Sequence, residues 1–304
     1  MGFKLNEYGL FRSEDEVLVA AKTEQEIYKA LGLDYIEPEL RENTGELDAA
    51  EHSSRKRAGL PELLTLGDVR GDLHMHSTAS DGKCSIREMA DAARKQGLEY
   101  IAITDHSKSL AMANGLNEKR LLQQMEDIRE LRKQIEGIQI LCGTEVDILA
   151  DGTLDISDDV LAELDVVVAS VHSHMNQPKA QMTERVLRAL ENPNLDILGH
   201  PTGRLQLRRE PFALDMEAVL DAAKKHGVAM EINSFPDRLD LRDQHVRMCK
   251  ERGVKVVIST DSHHTHHLPL LKYGVLTARR GWMEKGDVLN TLPVKKFLHS
   301  LRQQ

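Results

Sequence analysis

His74 and His76 stand two residues apart in a short apolar run, DLHMH (72–76). In an extended strand, side chains at i and i+2 share a face, so both imidazoles can reach one cation. Asp261 and His263 repeat that spacing in KVVISTDSH (255–263). Asp81 follows the first run, His106 ends YIAITDH (100–106), and Glu145 lies near the end of IQILCGTEV (138–146). His172 ends LDVVVASVH (164–172) and His200 ends LDILGH (195–200). A set of imidazoles and carboxylates without a thiolate suits Zn²⁺, Mn²⁺ or Fe²⁺ rather than Ca²⁺ or Mg²⁺. At three or four protein ligands per catalytic ion, with one carboxylate bridging, these groups suffice for about three ions and leave open positions for water and substrate. Three divalent ions less three carboxylates leave roughly +3 locally. A phosphate can therefore be held despite a formal chain charge of −9.

A lone histidine in an apolar strand is ordinarily a hydrogen-bonded core residue, and HxH or DxH alone is a weak signal. Repetition at successive strand ends favours ligation. For the other histidines, out of 14 in all, the plain reading holds. His226 closes a helix, where it suits the C-terminal dipole. His52, His245 and His299 read as surface residues; His174, His264, His266 and His267 read as solvated loop residues near the site. A multinuclear centre lowers the pKa of a bridging water, polarises a P–O bond and stabilises the leaving oxygen, so phosphoester hydrolysis fits best. No GxGxxG follows a strand and no GxxxxGK[ST] is present, so neither dinucleotide redox chemistry nor a P-loop is indicated.

The elements that must position these groups alternate regularly from Gly71 onward. The strand-like runs are those above plus VAMEIN (228–233). Between them lie helical spacings over 85–96, 118–136, 215–226 and 243–252, each followed by Gly. Strand, helix, glycine stop, strand is the βαβ pattern of a parallel sheet. An open doubly wound sheet gathers its site at one switch point, whereas a barrel brings all its C-terminal strand ends to one mouth. Polar residues at six of seven strand ends predict a seven-stranded barrel.

Residues 1–66 are polar and Glu-rich, with a charged stretch at 51–57, and read as a small helical piece plus a linker; 67–304 is the catalytic barrel. Forty per cent hydrophobic residues support a sizeable core, while 4% aromatic residues leave its packing to Leu, Val, Ile and Ala. Cys84, Cys142 and Cys249 form no CxxC, which argues against both a disulfide framework and a Cys-based zinc site. No apolar run is long enough to span a bilayer. The first residues carry no secretory signal, so a cytoplasmic protein is expected. An acidic chain does not bind nucleic acid through bulk electrostatics and needs a local positive source.

The ordered motifs HMHSTASDG (74–82), ITDHS (103–107), GTEVDI (143–148), SVHS (170–173), GHPTGR (199–204) and STDSH (259–263) resemble the PHP (polymerase and histidinol phosphatase) superfamily. The resemblance runs from about Gly71 to the end of the chain. It implies a distorted (β/α)₇ TIM-like barrel with a trinuclear centre of Mn²⁺, Zn²⁺ or Fe²⁺. His74, His76, Glu145 and Asp261 would hold one ion, with Glu145 shared. His172 and His200 would complete the second site, and Asp81, His106 and His263 the third. Glu145, Asp261 and His106 would be central to catalysis by metal-activated water.

RLQLRREP (204–211), EINSFPDRLDL (231–241) and YGVLTARRGWMEKGDVLNTLP (273–293) have the character of the C-terminal PHP domain of bacterial family X DNA polymerases. KLNEYGLF (4–11) and EIYKALGLDYIEPELRE (26–42) resemble the end of the polymerase thumb. The helix-hairpin-helix segments, fingers, palm and palm carboxylates have no counterpart, so no polymerase activity is expected. HTHHLPLL (264–271) is richer in His than the family leads one to expect. The resemblance implies phosphodiester hydrolysis at DNA 3′ ends, as in the family's 3′→5′ exonuclease. Arg204, Arg208 and Arg209 are candidates to contact backbone phosphates, the alternative being a solvated or salt-bridged loop. Arg279 and Arg280 are weaker candidates. Asn233 and Arg238 would line the pocket, and Asp105 would orient a ligand or cap a turn. A phosphomonoesterase of the histidinol-phosphatase type and a non-catalytic accessory domain are the competing readings.

Overall fold

The computed structural model describes residues 2–51 and 59–301. His52 and most of the charged stretch at 51–57 lie outside the described residues. The chain divides into two compact units, 1–62 and 63–304. The first opens with a three-stranded antiparallel sheet of β1 (Phe3–Asn6), β2 (Gly9–Arg12) and β3 (Leu18–Ala20). Two short helices follow, α1 (Glu24–Ala30) and α2 (Glu46–Ala50). The sequence reading anticipates the helices and misses the sheet, whose strands of three or four residues are too short to show a two-residue pattern.

The second unit carries seven parallel strands in sequential order: β4 (Gly71–Asp72), β5 (Tyr100–Ile103), β6 (Gln139–Asp147), β7 (Val166–Ser170), β8 (Ile197–Leu198), β9 (Ala229–Asn233) and β10 (Val256–Ser259). Parallel bridging between Met75 and Ser262 brings the two edge strands together just beyond their ends. There the His76 amide donates to the Ser262 carbonyl at 2.8 Å and the Ser262 amide to the His74 carbonyl at 3.3 Å. Lower in the same seam, the buried Asn290 amide donates to the carbonyls of Gly71 and Ile258, at 2.7 Å each. The result is a nearly closed (β/α)₇ barrel.

Between the strands run α3 (Ile86–Lys95), α4 (Glu118–Arg132), α5 (Asp158–Leu161), α6 (Lys179–Leu190), α7 (Met216–His226) and α8 (Asp243–Arg252). Then come α9 (Leu271–Arg280) and α10 (Val294–Leu301). Local chemistry sets their ends. Ser85 and Glu88 form a capping box on α3, and Asn117 and Asp215 cap α4 and α7. Gly227 and Gly253 stop α7 and α8 in the left-handed region, which a side chain would oppose.

Two-residue alternation sorts each strand between two cores. Tyr100, Ala102, Leu141, Val166, Val168, Ile197, Ala229 and Val257 form an inner cluster closed by Leu289 and Phe297. The intervening residues, such as Ile101, Ile103, Cys142, Val167, Met230 and Ile232, pack outward with the helices. Continued toward the C-terminal ends, the inward row becomes polar: Thr104 and His106 after Ala102, Glu145 and Asp147 on β6, Ser170 and His172 after Val168, Glu231 and Asn233 on β9. The apolar floor thus turns into a ligand-bearing mouth on the same strand face.

Candidate metal centre

All nine predicted ligands meet at this mouth. Three neighbourhoods have ligand atoms within 4.8 Å of one another: His76 with Asp81, His106 and His263; His74 with His76 and Asp261; and His106 with Glu145 and His172. His200 joins through Nε2, 2.8 Å from Glu145 Oε1. The grouping differs in detail from the expected sets because two rings are shared. His76 turns Nδ1 toward Asp81 (3.9 Å) and Nε2 toward Asp261 (3.2 Å). His106 turns Nδ1 toward Glu145 (2.8 Å) and Nε2 toward Asp81 (3.7 Å). Glu145 is the hub: Oε2 faces His74, His76 and His106, and Oε1 faces His172 and His200.

Backbone turns aim two of these groups. His200 has φ +24° and Asp261 φ +54°, in the region that L side chains seldom occupy. At His200 the turn matters because Ile197 points inward, so simple alternation would send His200 outward. Such strain persists where the surrounding structure fixes it, typically at functional sites.

The residues present fit divalent ions. His74 Nε2, His76 Nδ1, His106 Nδ1 and Glu145 Oε2 are buried and make no hydrogen bond. Yet His74 Nε2 lies 3.3 Å and His106 Nδ1 2.8 Å from Glu145 Oε2. Buried polar atoms are otherwise almost always paired. Ligands about 2.1 Å from a common ion stand roughly 3–3.5 Å apart, which matches this spacing.

Behind the candidate ligands lie two carboxylates that the sequence reading does not single out, Glu231 and Asp147. Glu231, fully buried, accepts from His74 Nδ1 at 2.7 Å and from the His200 amide at 2.6 Å. Asp147 accepts from His172 Nδ1 at 2.5 Å, and the Asp261 carbonyl accepts from His263 Nδ1 at 2.9 Å. Each such contact fixes the tautomer that leaves Nε2 free to ligate. The signal was available: Glu145 and Asp147 are two residues apart, as are Glu231 and Asn233.

Without metal, the groups hold one another's charges. Burial alone would raise Glu145, but His172, His74 and His106 outweigh it and keep its carboxyl well below the ordinary range. Burial likewise opposes ionisation of Asp261, and His74, His76 and Arg238 overcome it. His172 is depressed by burial but raised to about 10 by Glu145 and Asp147, and His263 is raised to about 9 against burial by Asp81 and Asp261. His76 falls to about 3 through burial and the neighbouring His106 and His263. His200 falls to about 4 through burial and Arg238.

The predicted substrate residues scatter. Arg238 is at the mouth: Nε donates to Asp261 Oδ2 at 3.0 Å, and the buried Nη1 has no partner. Asn233 is fully buried and gives its amide to Asp261 at 3.1 Å and Glu231 at 3.3 Å, so it braces ligands instead of lining a pocket. Arg204 donates to the carbonyls of Arg238 and Leu239, and Arg209 to that of Gly203, so both brace loops. Arg208 is exposed and pairs with Asp237 at 3.2 Å. Arg279 and Arg280 sit on α9, turned to Leu64 and Asp243. His245 on α8 is half-buried, not superficial, near Arg242, Arg204 and Asp243.

The PHP domain family matches residues 72–235, and the DNA polymerase beta thumb family matches residues 1–42. The chain is 46% identical over 294 residues to the DNA polymerase/3′-5′ exonuclease PolX of Bacillus subtilis (strain 168), covering 97% of this chain and 50% of that protein. It therefore spans about half the length of that relative. A probable phosphatase of Thermoanaerobacter sp. (strain X514) is 31% identical over 231 residues, 72% of this chain and 89% of that one. Among solved structures, a histidinol phosphate phosphatase from Lactococcus lactis aligns with a TM-score of 0.48 at 19% identity, covering 68% of this chain and 93% of that one. With seven parallel strands in order, histidines and carboxylates at their ends, and a family match across more than half its length, the chain belongs to the PHP family of metal-dependent hydrolases.

Proposed function

We propose that this chain hydrolyses phosphodiesters at DNA 3′ ends with a centre of three divalent ions, Mn²⁺ or Zn²⁺, or Fe²⁺. The carrying observation is the convergence on Glu145 of buried His atoms that make no hydrogen bond, at spacings that divalent ions would satisfy. His74, His76, Asp81, His106, Glu145, His172, His200, Asp261 and His263 would hold the ions. When bound, such ions supply an activated water and stabilise the entering and leaving oxygens. The chain's own residues do the rest. Glu231, Asp147 and the Asp261 carbonyl keep imidazole protons on Nδ1, and Asn233 and Arg238 hold Asp261 in place. Exposed Arg208 is available to a phosphate.

The DNA reading draws on the Bacillus relative, whose similarity covers nearly all of this chain. In this reading residues 1–66 are thumb-like and 67–304 form the phosphoesterase, acting in the cytoplasm without polymerase activity. The 31%-identical probable phosphatase supports the second reading, hydrolysis of a small phosphate monoester.

A 5′-labelled single-stranded oligonucleotide in Mn²⁺, run beside histidinol phosphate and a His106→Ala control, separates them. The expected result is a ladder from the 3′ end that vanishes in the variant. Phosphate release from the small ester alone would move the assignment to a phosphatase. Full activity in metal-replete His106→Ala would defeat the cluster.

A further inference from the structure

Eight of the nine candidate ligands lie on strands or within four residues of a strand end; Asp81 lies nine residues past Asp72, on a loop. It and His263 are also the most exposed of the set, at 33% and 30%, against 11% or less for the other candidate ligands. Something other than the barrel frame must hold Asp81 in register with His76 and His106.

Asp105 does so from beneath. It is fully buried next to His106 and accepts four side-directed hydrogen bonds. They come from the Ser77 amide at 2.8 Å, Ser77 Oγ at 2.6 Å, Ser80 Oγ at 2.5 Å and Gln124 Nε2 at 2.6 Å. None of these partners is a candidate ligand. Two of them bracket the loop that leads to Asp81, and the third reaches down from α4. The loop closes on itself above them, with the amides of Ser80 and Gly82 donating to the Ser77 carbonyl at 3.2 and 2.9 Å. The Asp105 backbone is pinned as well: its carbonyl accepts from Thr144 Oγ1 at 3.1 Å and from the Glu145 amide at 3.2 Å.

We infer that Asp105 is the positioning residue for the ion held by Asp81, His76, His106 and His263, and sets the affinity of that ion separately from the other two. This rests on the metal-centre reading above. Without Asp105, Ser77 and Ser80 lose their shared acceptor, the loop relaxes, and Asp81 leaves its place. The strand-borne ligands keep theirs.

Native mass spectrometry against a graded series of chelator, with circular dichroism to verify folding, tests this on the full chain. Wild type should carry three ions. Asp105→Ala should lose one of them at chelator levels the wild type withstands, its affinity weakened roughly 10–100-fold as for other residues that orient ligands, with the remaining two unchanged. Ser80→Ala, which removes the hydroxyl bonded to Asp105 Oδ1 at 2.5 Å and to Asp81 Oδ1 at 3.4 Å, should weaken the same ion and carries the test if the first variant does not fold. Asp105→Asn should retain the ion, because Gln124 can turn its partnerless Oε1 to accept the new amide. Three ions at wild-type affinity in a folded Asp105→Ala would overturn the inference, as would equal weakening of all three, the signature of a merely structural role. A wild type that binds no metal would overturn the metal reading itself, and would do so before any substitution is made.

Discussion

Replacing Glu231 by Gln removes one charge from the floor of the centre without changing its shape. Glu231 Oε1 receives the His74 Nδ1 proton at 2.7 Å, and Oε2 receives the His200 amide at 2.6 Å. A glutamine oxygen can keep only one of these. The backbone amide has no other acceptor, so the carbonyl oxygen goes to His200 and the NH₂ faces His74. His74 then does best with its proton on Nε2 and a bare Nδ1 toward the amide, which takes Nε2 out of ligation. The expected loss in metal affinity is roughly 10–100-fold, or about 1.4–2.7 kcal/mol. In the metal-free protein the carboxylate faces a His74 whose pKa is raised well above its ordinary value: burial opposes that rise, and Glu231, Glu145 and Asp261 overcome it. Losing a hydrogen bond to a charged group costs about 1.5–3 kcal/mol, or a melting point lower by roughly 3–10 °C. Titration calorimetry with Mn²⁺ on chelator-stripped protein gives the first quantity, a thermal melt the second, and ¹⁵N chemical shifts of the His74 ring the tautomer. Wild-type metal affinity in Glu231→Gln, with His74 still protonated on Nδ1, would refute the reasoning.

Metal uptake at pH 7 should release protons, because His74, His172 and His263 hold theirs at that pH in the metal-free protein. Calorimetry in buffers of different ionisation enthalpy counts them, and apparent affinity should rise with pH toward 9–10. For the metal-free protein the sign is opposite. Folded-state pKa values of about 10 and 9, above the ordinary 6.5, make the stability from His172 and His263 full below pH 6.5 and lost as pH climbs through 9 and 10. Gly115→Ala should destabilise by about 1–3 kcal/mol, since the new Cβ would fall 1.8 Å from the Ser107 carbonyl oxygen, a backbone atom beside His106; a denaturant melt measures it, and an unchanged midpoint would contradict the contact.

The candidate ligands were legible because strand geometry is periodic. HxH and DxH put two donors on one face, and recurrence at strand ends makes a barrel mouth. The same rule, carried two residues further, reaches Asp147 from Glu145 and joins Glu231 to Asn233. Asp147 and Glu231 stayed hidden because an acid inside an apolar strand looks like an interruption until its partner is seen. Glu231 finds His74 across 157 positions of sequence. The arginines were legible only as charges. Whether Arg204 meets a phosphate or a carbonyl depends on the fold of 235–240, which no local pattern fixes, and the carbonyls of Arg238 and Leu239 take it. Polarity alone likewise placed His245 at the surface, whereas it is half-buried near Arg204, a neighbour distant in sequence.

One consequence joins fold to chemistry. A pit of three carboxylates at a barrel mouth ought to repel itself apart before any ion arrives. The histidines prevent this unequally. His74, His172 and His263 are driven toward the protonated form, while His76 and His200 are driven toward the neutral one. These imidazoles stand against Glu145, Asp261 and Asp81, with Glu231 behind His74, Asp147 behind His172 and the Arg238 guanidinium beside Asp261. Protons thus offset the carboxylates in the metal-free protein, the electrostatic role that ions would take in the proposed centre. In the proposed reading, loading would exchange those protons for divalent ions, and with three ions bound the added positive charge would give an acidic chain the local potential that a phosphate ester requires.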